Sequence, residues 1–217
     1  TLRRSSAASD VYKRQLNSKP FPVVFLVFIL VGFSRHLPLS HPELYNFSPV
    51  LAMFFVSGIY FRGLISCLIP LLAVLLSDFL ISPTYGAQIF EPFMLATFLS
   101  YALIFLLGKL WQTPTRIRTL IAGGILSAFI FHLLTCGLAW WTNPFYAKNL
   151  SGFVQAQFIG ETGYAPAYLF LRNSLLSSVL FSLLLGWLAS RFTQGFIADE
   201  SRSLLLHGRR YKEQTRN

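Results

Sequence analysis

The chain has 217 residues, 54% of them hydrophobic and 12% charged, with a formal net charge of +10 and a mean hydropathy of +0.56. Soluble domains carry about 25% charged residues, so this composition lacks the polar surface of a water-facing globule and points to apolar stretches that meet lipid. Two cysteines, Cys67 and Cys136, both inside apolar runs, exclude a disulfide framework and a cysteine-based zinc site.

In chain order, residues 5–15 (SSAASDVYKRQ) match the translation of a transposase-type sequencing-library adapter, and residues 1–15 are set aside as non-native on that reading. Without Arg3, Arg4, Lys13, Arg14 and Asp10 the remainder holds 14 basic and 7 acidic residues, a net +7. Six apolar spans follow, at 20–37, 48–61, 63–81, 92–111, 119–141 and 167–190. A transmembrane helix needs about 20 apolar residues. The first span has the apolar length of a signal peptide, yet no small-x-small cleavage pattern precedes Arg35 and His36, so it is kept as a helix. Only Arg62 separates the second and third, and one continuous helix there would be about 50 Å long. A tight hairpin at Phe61, Arg62 and Gly63 is the better reading. The second span is short, and must tilt little or lie under a cover of protein.

The expected fold is therefore all-α: a polytopic membrane domain of six transmembrane helices over residues 16–190, followed by a basic tail over 191–217. Its orientation follows from the basic residues, which are retained on the cytoplasmic side in short loops. Lys19, Arg62, Lys109, Arg116, Arg118, Arg191, Arg202, Arg209, Arg210, Lys212 and Arg216 fall on one face, and only Arg35, Lys148 and Arg172 on the other. Eleven against three places both termini in the cytoplasm, with the tail anchored near anionic lipid and no nucleic-acid role expected.

Small residues recur every four positions on the last span, at Ser174, Ser178, Ser182, Gly186 and Ser190. Such a stripe lets helix backbones approach closely in lipid, and an interface is its simplest use. The fifth span carries Gly124, Ala128, His132, Cys136 and Trp140 on a similar stripe. Polar groups inside apolar spans are costly and are weighed singly. His132 either donates to a neighbouring helix or lines a ligand cavity. Arg172, beside Asn173, either snorkels to headgroups or recognises an anion. Trp140 and Trp141 suit an aromatic belt or a stacking wall. Asp78 and Glu91 read as solvated ends of the third loop. The stretch 142–166, with Gln155, Gln157, Glu161 and glycines at 152, 160 and 163, is long for a connector and is expected to be functional or to carry a short element of its own. No HExxH helix, aspartate pair, serine triad or Walker A pattern is present, so no enzyme activity, metal or cofactor is expected.

Three stretches carry a resemblance. Asn46-Phe47-Ser48-Pro49-Val50, then Leu68-Ile69-Pro70-Leu71-Leu72-Ala73 running to Leu76-Ser77-Asp78, then Phe170-Leu171-Arg172-Asn173-Ser174-Leu175-Leu176, resemble the signature stretches of a bacterial family of uncharacterised six-helix membrane proteins. That family is similar in helix count and hydropathy to the substrate-binding S components of energy-coupling-factor (ECF) vitamin transporters. Three features depart from the pattern. Cys136 stands where an Asn is expected, Ser178 where an acidic residue is, and the first helix is bulky at Phe25, Val27 and Phe28, where S components commonly carry small residues. The resemblance implies an S-component-like bundle in the bacterial inner membrane that captures a small water-soluble, vitamin-like substrate. Its partners would be an ECF coupling subunit and ATPases. Its pocket would draw on His132, Trp140, Trp141, Tyr164, Arg172 and Asn173, with the long fifth loop as a lid. The alternative is a non-transporting membrane scaffold or cell-envelope subunit in which those residues only join helices.

Overall fold

The computed structural model describes residues 21–60, 64–85, 93–111 and 116–214. Among them the chain is entirely helical: α1 (Phe21–Ser40), α2 (Val50–Tyr60), α3 (Leu68–Tyr85), α4 (Met94–Leu110), α5 (Ile117–Thr142), α6 (Leu150–Phe158) and α7 (Ala167–Gln214), with short 3-10 turns at Pro42–Leu44 and Leu64–Cys67. Each apolar span became a helix, within about five residues of its expected ends except that the last runs on from 190 to Gln214; long apolar runs leave a backbone few other ways to satisfy its own polar groups away from water. The hairpin expected at Phe61, Arg62 and Gly63 lies outside the described residues, as does Glu91. Two described helices, Ile117–Thr142 and the Ala167–Arg191 part of α7, are long and apolar enough to cross a membrane; Val50–Tyr60, Leu68–Leu80 and Met94–Leu110 are apolar but shorter.

At the centre lies α2, every residue of which from Val50 to Gly58 is buried. Its neighbours are α4, α5 and α7, which cover this short helix. The crossing with α4 is backbone on backbone. A Cβ added to Gly58 would stand 2.3 Å from the carbonyl oxygen of Phe105 and 2.9 Å from the Cα of Gly108. On the other side the Phe55 ring fills the space in front of Gly123 of α5. Phe54, Tyr101 and Phe131 stack in a row through α2, α4 and α5, with centroids 4.6 and 6.0 Å apart.

The small-residue stripe of α7 is buried. Ser174, Ser178, Ser182 and Gly186 face the interior, and Ser178 donates from Oγ to the Gly124 carbonyl of α5 at 2.8 Å. Near the far end of the stripe, the Tyr60 hydroxyl donates to the Gly186 carbonyl at 3.0 Å. Outward faces are the reverse: Leu95, Leu99, Leu103, Leu106 and Leu110 of α4 and Leu176, Leu180, Leu184 and Trp187 of α7 are exposed. Serines inside and leucines outside suit helices that pack through small residues in lipid. Water would penalise such a surface.

Away from this block, α1 packs on α3. Asp78, expected at a solvated loop end, lies instead within α3, where its carboxylate takes the Arg35 guanidinium of α1 at 2.5 Å. The pairing was not legible because the two residues lie far apart in sequence and meet only when α1 and α3 pack. At the chain's other end, α7 runs through the basic segment as far as Gln214, 48 residues in all.

Candidate functional site

The expected site residues lie in the second half of α5, at the start of α7 and in the segment between them. The connection between these helices carries α6, whose start is set by its own sequence: the Asn149 side chain accepts from the Gly152 N–H at 2.9 Å, a helix N-cap. Gly152 is required there, since a Cβ would stand 2.0 Å from the Ala147 carbonyl oxygen. After α6 the chain reverses through Gly160, at φ +81°, and Gly163, at φ +93°, in the left-handed region that glycine tolerates.

This segment is tied to α5 along its length. His132 Nε2 lies 2.7 Å from the Gln157 carbonyl oxygen. A carbonyl only accepts, so Nε2 carries the proton and Nδ1 is bare, 3.7 Å from the Cys136 sulfur. Trp140 donates its indole N–H to the Ala147 carbonyl at 2.9 Å and sets its ring edge-on to Phe153, centroids 5.4 Å apart. The Lys148 ammonium donates to the carbonyls of Trp140 and Asn143, at the C-terminal end of α5, where positive charge is favoured by the helix dipole. Asn143 donates to the Glu161 carboxylate at 2.7 Å. Nearby Tyr146 is buried, and that burial, reinforced by the Glu161 carboxylate and then by Cys136, pushes its phenol pKa up and keeps it neutral.

A second cluster forms at the start of α7. Asn173 is 2% exposed. Its amide donates to the carbonyls of Glu43 at 2.7 Å and Tyr45 at 2.8 Å, fixing the turn after α1, where Asn46 adopts φ +62°. Its carbonyl oxygen accepts from Nε and Nη2 of Arg172, each at 3.1 Å. Tyr45 stacks on Phe170 one turn earlier, centroids 5.4 Å apart.

The six expected residues thus divide into three roles. His132 and Trp140 bind the α6 segment, Asn173 binds the 43–45 turn, and Trp141, Tyr164 and Arg172 are exposed. No hydrogen bond or ring contact joins the His132 group to the Arg172–Asn173 pair among the described residues. Sequence reasoning assigned no contact to Lys148 or Glu161, which it counted only in the charge balance and the long connection, and none to Asn143 or the 43–45 turn. The position of Lys148 six residues beyond the end of α5 was the one available signal for a carbonyl cap. Among the described residues no cluster of three His, Cys, Asp or Glu is placed to hold a metal ion.

A family model described as a family of unknown function, DUF6580, matches residues 15–194. No curated protein and no solved structure matches the chain.

Proposed function

Because the chain belongs to the DUF6580 family, whose function is unknown, we propose its role from its own residues: a membrane subunit that binds a small water-soluble, vitamin-like compound for uptake. On this reading it is a six-helix, S-component-like protein of the bacterial inner membrane, with both termini cytoplasmic and an ECF coupling subunit and ATPases as partners. The observation that carries the reading is the α6 segment. It folds over the Thr142 end of α5, turns at Gly160 and Gly163, and leaves Trp141 and Tyr164 69% and 75% exposed at the same end as Arg172. Aromatic faces and a cation suit a heterocycle bearing an anionic group.

A scaffold role is favoured by one specific observation: His132 and Asn173 are already satisfied by carbonyls of this chain. A thermal-shift screen of the detergent-solubilised protein against water-soluble vitamins and their precursors separates the two. For a transporter, a hit raises the wild-type midpoint, and Arg172→Ala weakens that ligand roughly 10- to 150-fold, the worth of one charge-assisted hydrogen bond of about 1.5–3 kcal/mol. A hit that stabilises both proteins equally removes Arg172 from the site, and a well-folded protein with no hit in a broad screen supports the scaffold.

The proposed topology has its own check. Reporter fusions after Arg62, Lys109 and Arg191 should report cytoplasm, and fusions near Pro42, Tyr85 and Gly152 the outside. Reversal at a single loop would break the six-helix count, whereas uniform inversion would overturn only the orientation.

A further inference from the structure

We propose that the Arg35–Asp78 pair between α1 and α3 is a second binding site, for a small solute of zero net charge that presents a hydrogen-bond acceptor beside a donor. Charged side chains within apolar helices are costly and mark functional positions by default. A pair retained only to join two helices would be expected to use the bidentate fork of arginine on carboxylate. Here a single contact is made, from Nη2 to Oδ1. The other terminal nitrogen, Nη1, is sealed from the surface and has no partner among the described residues, and the hydroxyl of Ser77, next to Asp78, is in the same condition.

Pro38 lies inside α1 and has no N–H, so the carbonyl of Ser34, one turn earlier and adjacent to Arg35, has no donor at the usual fourth residue on. A donor at Arg35 and an acceptor at Asp78 meet between α1 and α3. The side chains of Arg35 and Asp78 keep 28% and 16% of their surface, so the pair is partly exposed while Nη1 itself is covered.

Net charge decides the ligand class. The ion pair is neutral, and adding a lone anion or cation would leave one uncompensated charge in surroundings of low dielectric. A solute with both signs, or with neither, avoids that cost. Two chemistries present an acceptor beside a donor at zero net charge: a zwitterion, with carboxylate on Arg35 and ammonium on Asp78, and the edge of a cyclic amide, with C=O on Arg35 and N–H on Asp78. The site is on helices other than those that carry Trp141, Tyr164 and Arg172, and it does not depend on the uptake reading.

Glycine as zwitterion and 2-pyrrolidone as cyclic amide, with acetate and methylammonium as charged controls, can be titrated into the full chain in nanodiscs and followed by ligand-observed NMR. At least one neutral probe should bind the wild type, and which one does identifies the chemistry. Arg35→Lys keeps the charge but has one nitrogen in place of the fork, and should weaken that probe roughly tenfold or more. Ser77→Ala removes only a hydroxyl, should weaken it too, and carries the test if Arg35→Lys does not fold. Arg172→Ala should bind it unchanged. The proposal is overturned if neither neutral probe binds, if acetate or methylammonium binds as well as the neutral probes, if the folded Arg35 or Ser77 variants bind as wild type does, or if Arg172→Ala alone loses binding.

Discussion

Gly58→Ala is expected to lower the stability of the solubilised protein by about 3 kcal/mol, at the upper end of what overpacking costs. For a chain of this size that is on the order of 6–12 °C in Tm. The new methyl would meet the Phe105 carbonyl oxygen at 2.3 Å and the Gly108 Cα at 2.9 Å, and both are backbone atoms of α4. A flexible side chain could swing aside, but here two helix axes must separate, and α2 is the element on which α4, α5 and α7 all pack. Gly108→Ala meets the same obstacle from the other side, at 2.2 Å from the Phe55 carbonyl oxygen, so the double variant should cost less than the sum of the two. Gly137 supplies the control. A Cβ there meets only the Cε2 of Phe153 at 3.9 Å, and Gly137→Ala should be neutral or gain about 0.5–1 kcal/mol from helix propensity. Equal melting shifts for Gly58→Ala and Gly137→Ala would show that the α2–α4 crossing is not backbone-limited.

Asn173→Ala should cost about 2–4 kcal/mol, the loss of two amide hydrogen bonds together with the desolvation of the carbonyls left behind. Those carbonyls, of Glu43 and Tyr45, hold the turn between α1 and α2 against the start of α7. Limited proteolysis should therefore show the 41–47 segment cut faster in the variant, even below its melting temperature. Asn173→Asp is the sharper form: it exchanges the NH2 donor for an oxygen facing two other oxygens, and should be at least as damaging. Arg172→Ala, one position earlier but exposed, should barely move the midpoint without ligand. If Asn173→Ala melted like wild type while its loop stayed protected, the turn would be held by something other than this amide.

These two positions also show how far the sequence was legible. The ends of α4 and α5 and the start of α7 follow from hydropathy alone, since burial from water along a whole span is a property of neighbouring residues, whereas the continuation of α7 from 190 to Gln214 does not. The α7 stripe was legible for the same reason: a four-residue period lies within one element. Gly58 and Gly108 were not singled out, because a close crossing joins two elements and neither glycine has a periodic partner. Asn173 was recognised as polar and out of place, but its partners lie in a turn about 130 positions earlier, and they are backbone carbonyls, which every residue carries. His132 stood with two uses open, and its bond to Gln157 favours the one in which it donates to a neighbouring segment. The ion pair of Arg35 and Asp78 was missed by treating each charge as the end of its own loop.

The hydroxyls inside the helices bear on how the protein is made. Ser100 donates to Ala96, Ser127 to Gly123, Thr135 to Phe131 and Thr142 to Leu138, each to the carbonyl four residues earlier in its own helix. On the proposed membrane reading, a hydroxyl satisfied this way needs no partner from another helix when its span enters the bilayer. His132, Asn173, Tyr60, Ser178 and the Arg35–Asp78 pair differ, because their partners lie on other elements and are met only when those elements pack. On that reading biogenesis would divide into insertion of the spans and a later closure in which these contacts between elements form. Quality-control proteases that patrol the membrane would find their substrate in the interval between the two.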